Sequence, residues 1–355
     1  MNKEKIKPML FTCLKNYTGN QIVKDVMSGI IVAIIALPLS IALALASGVG
    51  PEEGLYTAIV AGFLIAALGG SRVQIAGPTA AFATIVAGIV AKSEMTGLAI
   101  ATIIAGIILI IMGFCRLGTL IKFIPYTITT GFTAGIAVTI LVGQFKDFFG
   151  VNLNGAKPVE TMEKVVAFFK NIKTINIWAF VVGLVSLAIL IVWPKVSEKI
   201  PGSLIAVIVG ILMVKYCGLK VDTIGGIYEI SGKLPTFRLP EFSFSVIKAE
   251  FSDGVTIAVL AAIESLLSCV VADSMINAKH RSNTELVAQG VGNIGSALFG
   301  GIPATGAIAR TAANIKNGGR TPVAGIVHSI VLVLVLVLLM PFAKLIPMPT
   351  IAAIL

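Results

Sequence analysis

QIAGPTAA (Gln74–Ala81) and GGIPATGAIAR (Gly300–Arg310) interrupt two apolar segments of this chain in the same way. Each joins a short strand-like or glycine-containing stretch to a proline that can open a new helix. The two stretches occupy corresponding places in the two halves of the chain. Apolar segments broken by glycine and proline at matching positions of two halves are typical of the binding site of a membrane transporter. The second stretch also carries Arg310 in otherwise uncharged sequence, which indicates an anionic ligand.

The composition supports a membrane protein. The chain has 355 residues, of which 57% are hydrophobic and 12% charged, whereas a soluble domain has about a quarter of its residues charged. The formal charge of +10 comes from basic residues spread over the connections between apolar segments, so no nucleic-acid partner is predicted. The four cysteines lie far apart without metal-ligand spacing. Since no nucleophile triad or phosphate-binding loop is present either, we predict no metal, no cofactor and no enzymatic activity.

Eleven apolar spans and the start of a twelfth follow one another along the chain, and the third and tenth contain the two interruptions. Several of them are shorter than the ~20 residues that a full crossing requires. Residues 147–174 resemble an amphipathic surface helix, and residues 218–253 an ordered loop with short extended pieces. The spans cover roughly residues 27–47, 53–70, 74–92, 96–115, 124–146, 175–193, 200–217, 254–272, 284–299, 303–316 and 322–346, and residues 347–355 open the twelfth.

The distribution of basic residues predicts a cytoplasmic N-terminus in the inner (plasma) membrane. With this orientation the short cytoplasmic connections are basic, whereas the short outer turns carry few basic residues, as the positive-inside rule requires. The predicted cytoplasmic residues are Arg72, Arg116, Lys122, Lys195, Lys199, Lys279, Arg281, Lys316 and Arg320.

Two repeats of opposite orientation are predicted. Residues 59–70 and 290–301 both end in two glycines, and each runs quickly into a proline. Seven spans precede the long loop, and this odd number inverts the second repeat in the membrane. The expected division is an N-terminal segment (1–26), a first repeat (27–217), an extracytoplasmic loop (218–253) and a partial second repeat (254–355).

Two long stretches resemble the SulP/SLC26 family of anion transporters. They are LPLSIALALASGVGPEEGLYTAIVAGFLIAALGGSRVQIAGPTAA (37–81) and AIESLLSCVVADSMINAKHRSNTELVAQGVGNIGSALFGGIPATGAIARTAANIKNGGRTPVAG (262–325). The resemblance implies an all-α fold of seven plus seven spans, homodimers, and elevator-type movement of a core domain (spans one to four and eight to eleven) against a gate domain. Family members usually end in a cytoplasmic STAS domain. The resemblance therefore implies a C-terminally truncated chain with an incomplete second gate.

The two interruptions form the predicted anion site. A helix that begins inside the bilayer leaves N–H groups without acceptors and a partial positive charge at its start, and two such starts facing each other can bind an anion. Small residues let an oxyanion approach the backbone, and the Thr79 hydroxyl could donate to it. The alternative is that the small residues only permit tight helix crossing. The predicted residues are Ala76, Gly77, Pro78, Thr79, Ala80, Ala81, Thr305, Gly306, Ala307, Ile308, Ala309 and Arg310.

The two charged residues of the apolar spans each have two interpretations. Arg310 could attract the anion, as the family resemblance implies, or could extend to the cytoplasmic interface. Glu264, in the eighth span, could carry a coupling proton, because burial favours the protonated carboxyl, or could be a structural partner of Arg310 or of backbone amides. Ser268 lies one turn further and could help to hold a cation. Ile308 occupies a position where sodium-coupled relatives have a ligating threonine, so proton coupling is favoured over sodium.

The first span should contribute to the cavity wall through Leu39, Ser40 and Leu43. The resemblance places Leu39 at a position that is often glutamine in the family, so this span lacks the amide that would supply a polar contact there.

The sequence favours secondary active transport of an inorganic oxyanion, sulfate first and bicarbonate second, in symport with a proton. A dicarboxylate carrier or a chloride channel would fit the same residues. A nucleobase permease would share the inverted repeats but would need a carboxylate on the tenth span, where this chain has Arg310. A membrane anchor or motor-like protein gives no reason for a charged, broken-helix site in both halves.

Overall fold

The computed structural model describes residues 6–119, 126–155, 158, 160–197 and 200–355. Helices dominate these residues, and the two strands are two residues long each, within the two interruptions. The predicted all-α fold with short strand pieces is therefore confirmed. Lys122, Lys199 and the predicted start of the fifth span at residue 124 lie outside the described residues.

The elements follow the predicted spans in order. They are α1 (Leu10–Cys13), α2 (Gly19–Ala46), α3 (Pro51–Leu68), β1 (Ala76–Gly77), α4 (Ala83–Phe114), α5 (Tyr126–Phe149), α6 (Thr161–Lys170), α7 (Ile177–Val196), α8 (Gly202–Tyr216), α9 (Ile224–Ile227), α10 (Phe244–Ile276), α11 (Ser282–Leu298), β2 (Thr305–Gly306), α12 (Ile308–Lys316), α13 (Val323–Ala343) and α14 (Met348–Ile354).

Six helices of the described residues are long and apolar enough to cross a bilayer. They correspond to α2, α3, α4 with the turn that precedes it, α7, α10 and α13. The protein is thus a multi-pass membrane protein.

The third and fourth predicted spans contain two helices that meet at a sharp kink, and the two are labelled together as α4. The kink lies at Glu94, whose φ of 54° and ψ of −162° are not helical. Next to it, the Ser93 hydroxyl donates to the buried Glu250 carboxylate of α10 at 2.6 Å. The polar residues at this place predict a turn between two spans, and the non-helical backbone of Glu94 separates the two helices there.

Two helices extend beyond the predicted spans because a helix does not stop where its apolar residues do. α2 begins at Gly19 rather than at residue 27, and Thr18 caps it by accepting from the Gln21 N–H. α10 begins at Phe244 rather than at residue 254, so the predicted loop 218–253 contains its first turns as well as α9. Polar residues such as Lys248 and Asp253 hid these turns in the hydropathy pattern.

The helices pack in two groups that match the expected core and gate. In the core, α2, α3 and α13 pack together, and α4 and α10 to α12 join them; in the gate, α14 packs with α5, α7 and α8. Glycine permits a close crossing of two core helices. A Cβ on Gly290 of α11 would overlap the carbonyl oxygen of Gly106 of α4, as is usual where membrane helices touch through small residues.

Candidate functional site

The two interruptions meet in an antiparallel pair of strands. Ala76 of β1 lies opposite Gly306 of β2, and Gly77 lies opposite Thr305. An antiparallel pair relates its two strands by a local two-fold axis, which is the relation expected between inverted repeats.

A new helix starts directly after each strand. On the β2 side, the first intrahelical bond of α12 runs from the Thr311 N–H to the Ala307 carbonyl, so the N–H groups of Ile308, Ala309 and Arg310 have no acceptor within the helix. On the β1 side, the chain makes a 3-10 turn over Ala80–Phe82 before α4 begins. Both starts therefore present N–H groups and a partial positive charge at the level of the strand pair.

Polar side chains of two neighbouring helices hold β2 in place. The Asn293 side chain of α11 accepts from the Ala304 N–H and donates to the Ala304 carbonyl, both at 2.9 Å. From α10, the Ser265 hydroxyl accepts from the Gly306 N–H at 3.2 Å and lies 2.5 Å from the Thr305 hydroxyl. The predicted donors Thr305 and Gly306 therefore already have protein partners.

Glu285 of α11 is a fully buried carboxylate that binds the stretch of chain leading into β1. It accepts from the N–H groups of Gly70 (2.8 Å) and Ser71 (3.2 Å) and from the side-chain amides of Gln74 (2.9 Å) and Gln289 (2.8 Å). The Gln74 side chain also occupies the space where Gly306 of β2 would carry a Cβ. Glu285 thus connects both interruptions.

Sequence analysis missed these supporting residues. A signal was present, since Glu285, Gln289 and Asn293 recur every four residues in an otherwise apolar span and so share one helix face. All three are buried, and together they form the polar seam of α11 that faces the interruptions.

Arg310 is buried inside the protein. It is 2% exposed, so the alternative of an arginine extending to the cytoplasmic interface is wrong. One guanidinium nitrogen, Nη2, donates to the Pro78 carbonyl of the other interruption. Among the described residues, Nε and Nη1 have no hydrogen-bond partner. A Cβ at Gly77 would overlap Nη1, so this close approach requires glycine at that position.

Thr79 and Glu264 come together at the start of α4. The Thr79 hydroxyl donates to Oε2 of Glu264 at 2.8 Å. This hydroxyl, which we expected to donate to an anion, is therefore occupied by the carboxylate. The alternative that Glu264 pairs with Arg310 fails, since neither forms an ion pair within the described residues. Ser268 is buried one turn further along α10, and its hydroxyl has no partner among those residues.

The predicted residues of the first span divide between two environments. Ser40 and Leu43 are buried, whereas Leu39 is partly exposed. The Ser40 carbonyl lies where a Cβ on Gly54 of α3 would sit, so this turn of α2 packs closely against α3. Their role as cavity wall stays a prediction.

The remaining predicted residues differ in how far they are exposed. Ala76 and Pro78 are buried with the strands, and Ala80 is half-buried. Ala81 is buried, whereas Ile308 and Ala309 are exposed at the first turn of α12. The site thus joins backbone donors, one buried guanidinium and one carboxyl, which is an arrangement suited to binding an anion next to a group that can take up a proton.

Comparison with known proteins identifies the family. Residues 22–355 match the Sulfate permease family. The chain is 43% identical to the putative sulfate transporter YvdB of Bacillus subtilis, over 96% of this chain and 64% of that protein. It is 33% identical to the bicarbonate transporter BicA of a Picosynechococcus strain, over 93% and 60%. The chain thus spans less than two thirds of the length of these relatives.

A solved structure shows the same fold. The transmembrane domain of a cyanobacterial bicarbonate transporter, BicA, superposes with a TM-score of 0.85 at 30% identity, over 95% of this chain and 87% of that one. The fold therefore agrees with the family match, and this chain belongs to the sulfate permease family.

Proposed function

We propose that this chain is the membrane part of a secondary active transporter that takes up an inorganic oxyanion, sulfate first and bicarbonate as the alternative. The observation that carries the proposal is the meeting of two helix starts and the buried Arg310 at one strand pair. Guanidinium and backbone N–H groups are the usual ligands of oxyanions in proteins. The names of the two relatives, a sulfate and a bicarbonate transporter, support the same substrate class.

Proton symport is the proposed form of energy coupling. Uptake of an anion alone would oppose a negative-inside potential. Glu264 lies beside the start of α4 and accepts one hydrogen bond, through Oε2, which leaves Oε1 as the place for a proton. Protonation would remove a negative charge from the edge of the anion site, so proton and anion binding would favour each other. Sodium is disfavoured because Ile308 offers no ligand oxygen.

The remaining parts of the proposal concern the assembly. The core helices would carry the site across the membrane as an elevator while the gate helices stay in contact with a second copy of the chain. The N-terminus and the basic connections would face the cytoplasm, and the two repeats would be residues 27–217 and 254–355 on either side of the 218–253 connection. The packing of the core helices as one group and of the gate helices as another supports the division into core and gate.

Uptake by the full-length protein in liposomes tests the function. We expect labelled sulfate or bicarbonate to accumulate when the outside is more acidic than the inside, and to accumulate much less without the pH gradient. Uptake of uracil but of neither anion would overturn the proposal in favour of a nucleobase permease. Uptake of either anion that depends on a sodium gradient and not on pH would overturn the coupling assignment.

A further inference from the structure

A cavity of about 850 Å³ lies between core and gate on the side of the membrane where α2 ends. Its core wall consists of the last turns of α2 and the first half of α4, including Ala46, Ala83 and Thr84. Its gate wall consists of the last turns of α5 and the first turn of α14. We call this space the outer vestibule, because the proposed cytoplasmic N-terminus places the end of α2 on the outer side of the membrane.

The core wall of the outer vestibule adjoins the candidate anion site. Ala83 begins α4 directly after the turn Ala80–Phe82, whose N–H groups belong to the candidate site. The other end is lined by Lys164 and Phe168 of α6 and by Tyr228 of the 218–253 connection. An ion that enters from this side would therefore pass α6 before it reaches the strand pair.

Among the residues that the structure describes, three charged side chains line the outer vestibule: Lys146, Asp147 and Lys164. Lys146 Nζ lies 3.8 Å from Asp147 Oδ1, so these two charges largely cancel. Lys164 forms no ion pair within the part of the chain that the structure describes. Partial burial lowers the pKa of the Lys164 ammonium, because desolvation disfavours a charge that has no counter-ion. Within the described lining of the vestibule, Lys164 is therefore the one positive charge without an ion-pair partner.

We propose that Lys164 forms an outer capture site, which concentrates the oxyanion in the vestibule before it reaches the two helix starts. This inference rests on the proposed function. A positive charge in a cleft with low-dielectric walls raises the local concentration of anions and the rate at which they enter. Lys164 does not belong to the deep site, so its removal should change the capture of the ion and leave its translocation unchanged.

The test compares Lys164→Gln with Lys170→Gln in right-side-out proteoliposomes of the full-length protein. Lys170 lies on the same helix but is exposed and does not line the vestibule, so it controls for charge loss on α6. We expect Lys164→Gln to raise the KM for external sulfate about threefold at low ionic strength with unchanged maximal rate. Lys164→Arg should restore the wild-type KM, and Lys170→Gln should not change it.

Sidedness separates capture from a structural effect. The KM for sulfate on the inner side should be the same in wild type and Lys164→Gln, and the difference in external KM should shrink as salt rises. Equal external KM values for wild type and Lys164→Gln, or equal effects on both sides, would overturn the capture site while uptake by wild type upholds the proposed function. No uptake of sulfate or bicarbonate by wild type would overturn both.

Discussion

Glu264 and Thr79 couple two helices through one hydrogen bond. The carboxyl belongs to α10 and the hydroxyl to the start of α4. Any change in the protonation of Glu264 therefore acts directly on the helix start that contributes to the anion site. The sequence indicated both residues as functional but could not show this contact, since 185 positions separate them.

Replacing Glu264 with glutamine should uncouple transport from the proton gradient. Glutamine keeps an acceptor for Thr79 and resembles the protonated carboxyl in shape and charge. We expect accumulation driven by a pH gradient to fall at least tenfold, whereas sulfate binding measured by calorimetry changes by less than about threefold. Ser274→Ala, at the exposed end of the same helix, is the control. An equal loss of binding and uptake would show that Glu264 is part of the anion site instead.

Substitution of Gly77 tests the position of Arg310. A Cβ at residue 77 would overlap the guanidinium, so Gly77→Ala should displace Arg310 and lower sulfate affinity by about tenfold or more. In Gly88→Ala, on α4, the new Cβ would meet no atom within 4 Å, so affinity should not change. Calorimetric titration of both variants checks this. Wild-type affinity in Gly77→Ala would mean that Arg310 need not lie against β1 for the anion to bind.

At the scale of elements, the breaks were predictable and their supports were not. Glycine and proline showed where the third and tenth spans stop, because these residues act locally on the backbone. The polar seam of α11 could have been noticed from its four-residue spacing. The residues that this seam contacts could not be predicted, since Gly70 and Gln74 come within reach of Glu285 only when the helices pack.

Glu285→Gln should destabilise the stretch of chain that leads into β1. The carboxylate accepts four hydrogen bonds, whereas an amide offers one acceptor oxygen and turns two donors towards existing donors. We expect the variant to lose about 2–4 kcal/mol of stability, seen as a lower melting temperature in detergent, and to bind sulfate more weakly. The exposed Glu241→Gln should match wild type in both measurements. Unchanged melting and binding in Glu285→Gln would refute the supporting role.

At the level of the whole molecule, Asp25 is another buried carboxylate that joins the two halves. Asp25 of α2 is fully buried and accepts from the backbone N–H of Arg320 (2.7 Å) and from the hydroxyls of Thr321 (2.6 Å) and Tyr17 (2.9 Å). Composition predicted the membrane class, the apolar pattern predicted the span order, and the matching glycine and proline stretches predicted the repeats. They could not predict this contact, which depends on the fold bringing α2 to the turn before α13.

Asp25→Asn should therefore destabilise the core without touching the anion site. We expect a loss of about 2–4 kcal/mol, measured as a lower melting temperature, with sulfate affinity within about twofold of wild type at a temperature where the variant is folded. Asp253→Asn, a partly exposed position of α10, serves as the matched substitution. A wild-type melting temperature for Asp25→Asn would argue against a structural junction at the N-terminal end of α2.

The central claim is that one anion lies between the two helix starts. Selenate resembles sulfate and scatters anomalously at the selenium edge, so diffraction from selenate-soaked crystals of the full-length protein locates it directly. We expect one strong anomalous peak within hydrogen-bond reach of the N–H groups of Ala80–Ala81 and Ile308–Ala309, beside Arg310. A peak elsewhere, or none at a concentration at which selenate fully competes with sulfate uptake, would contradict it.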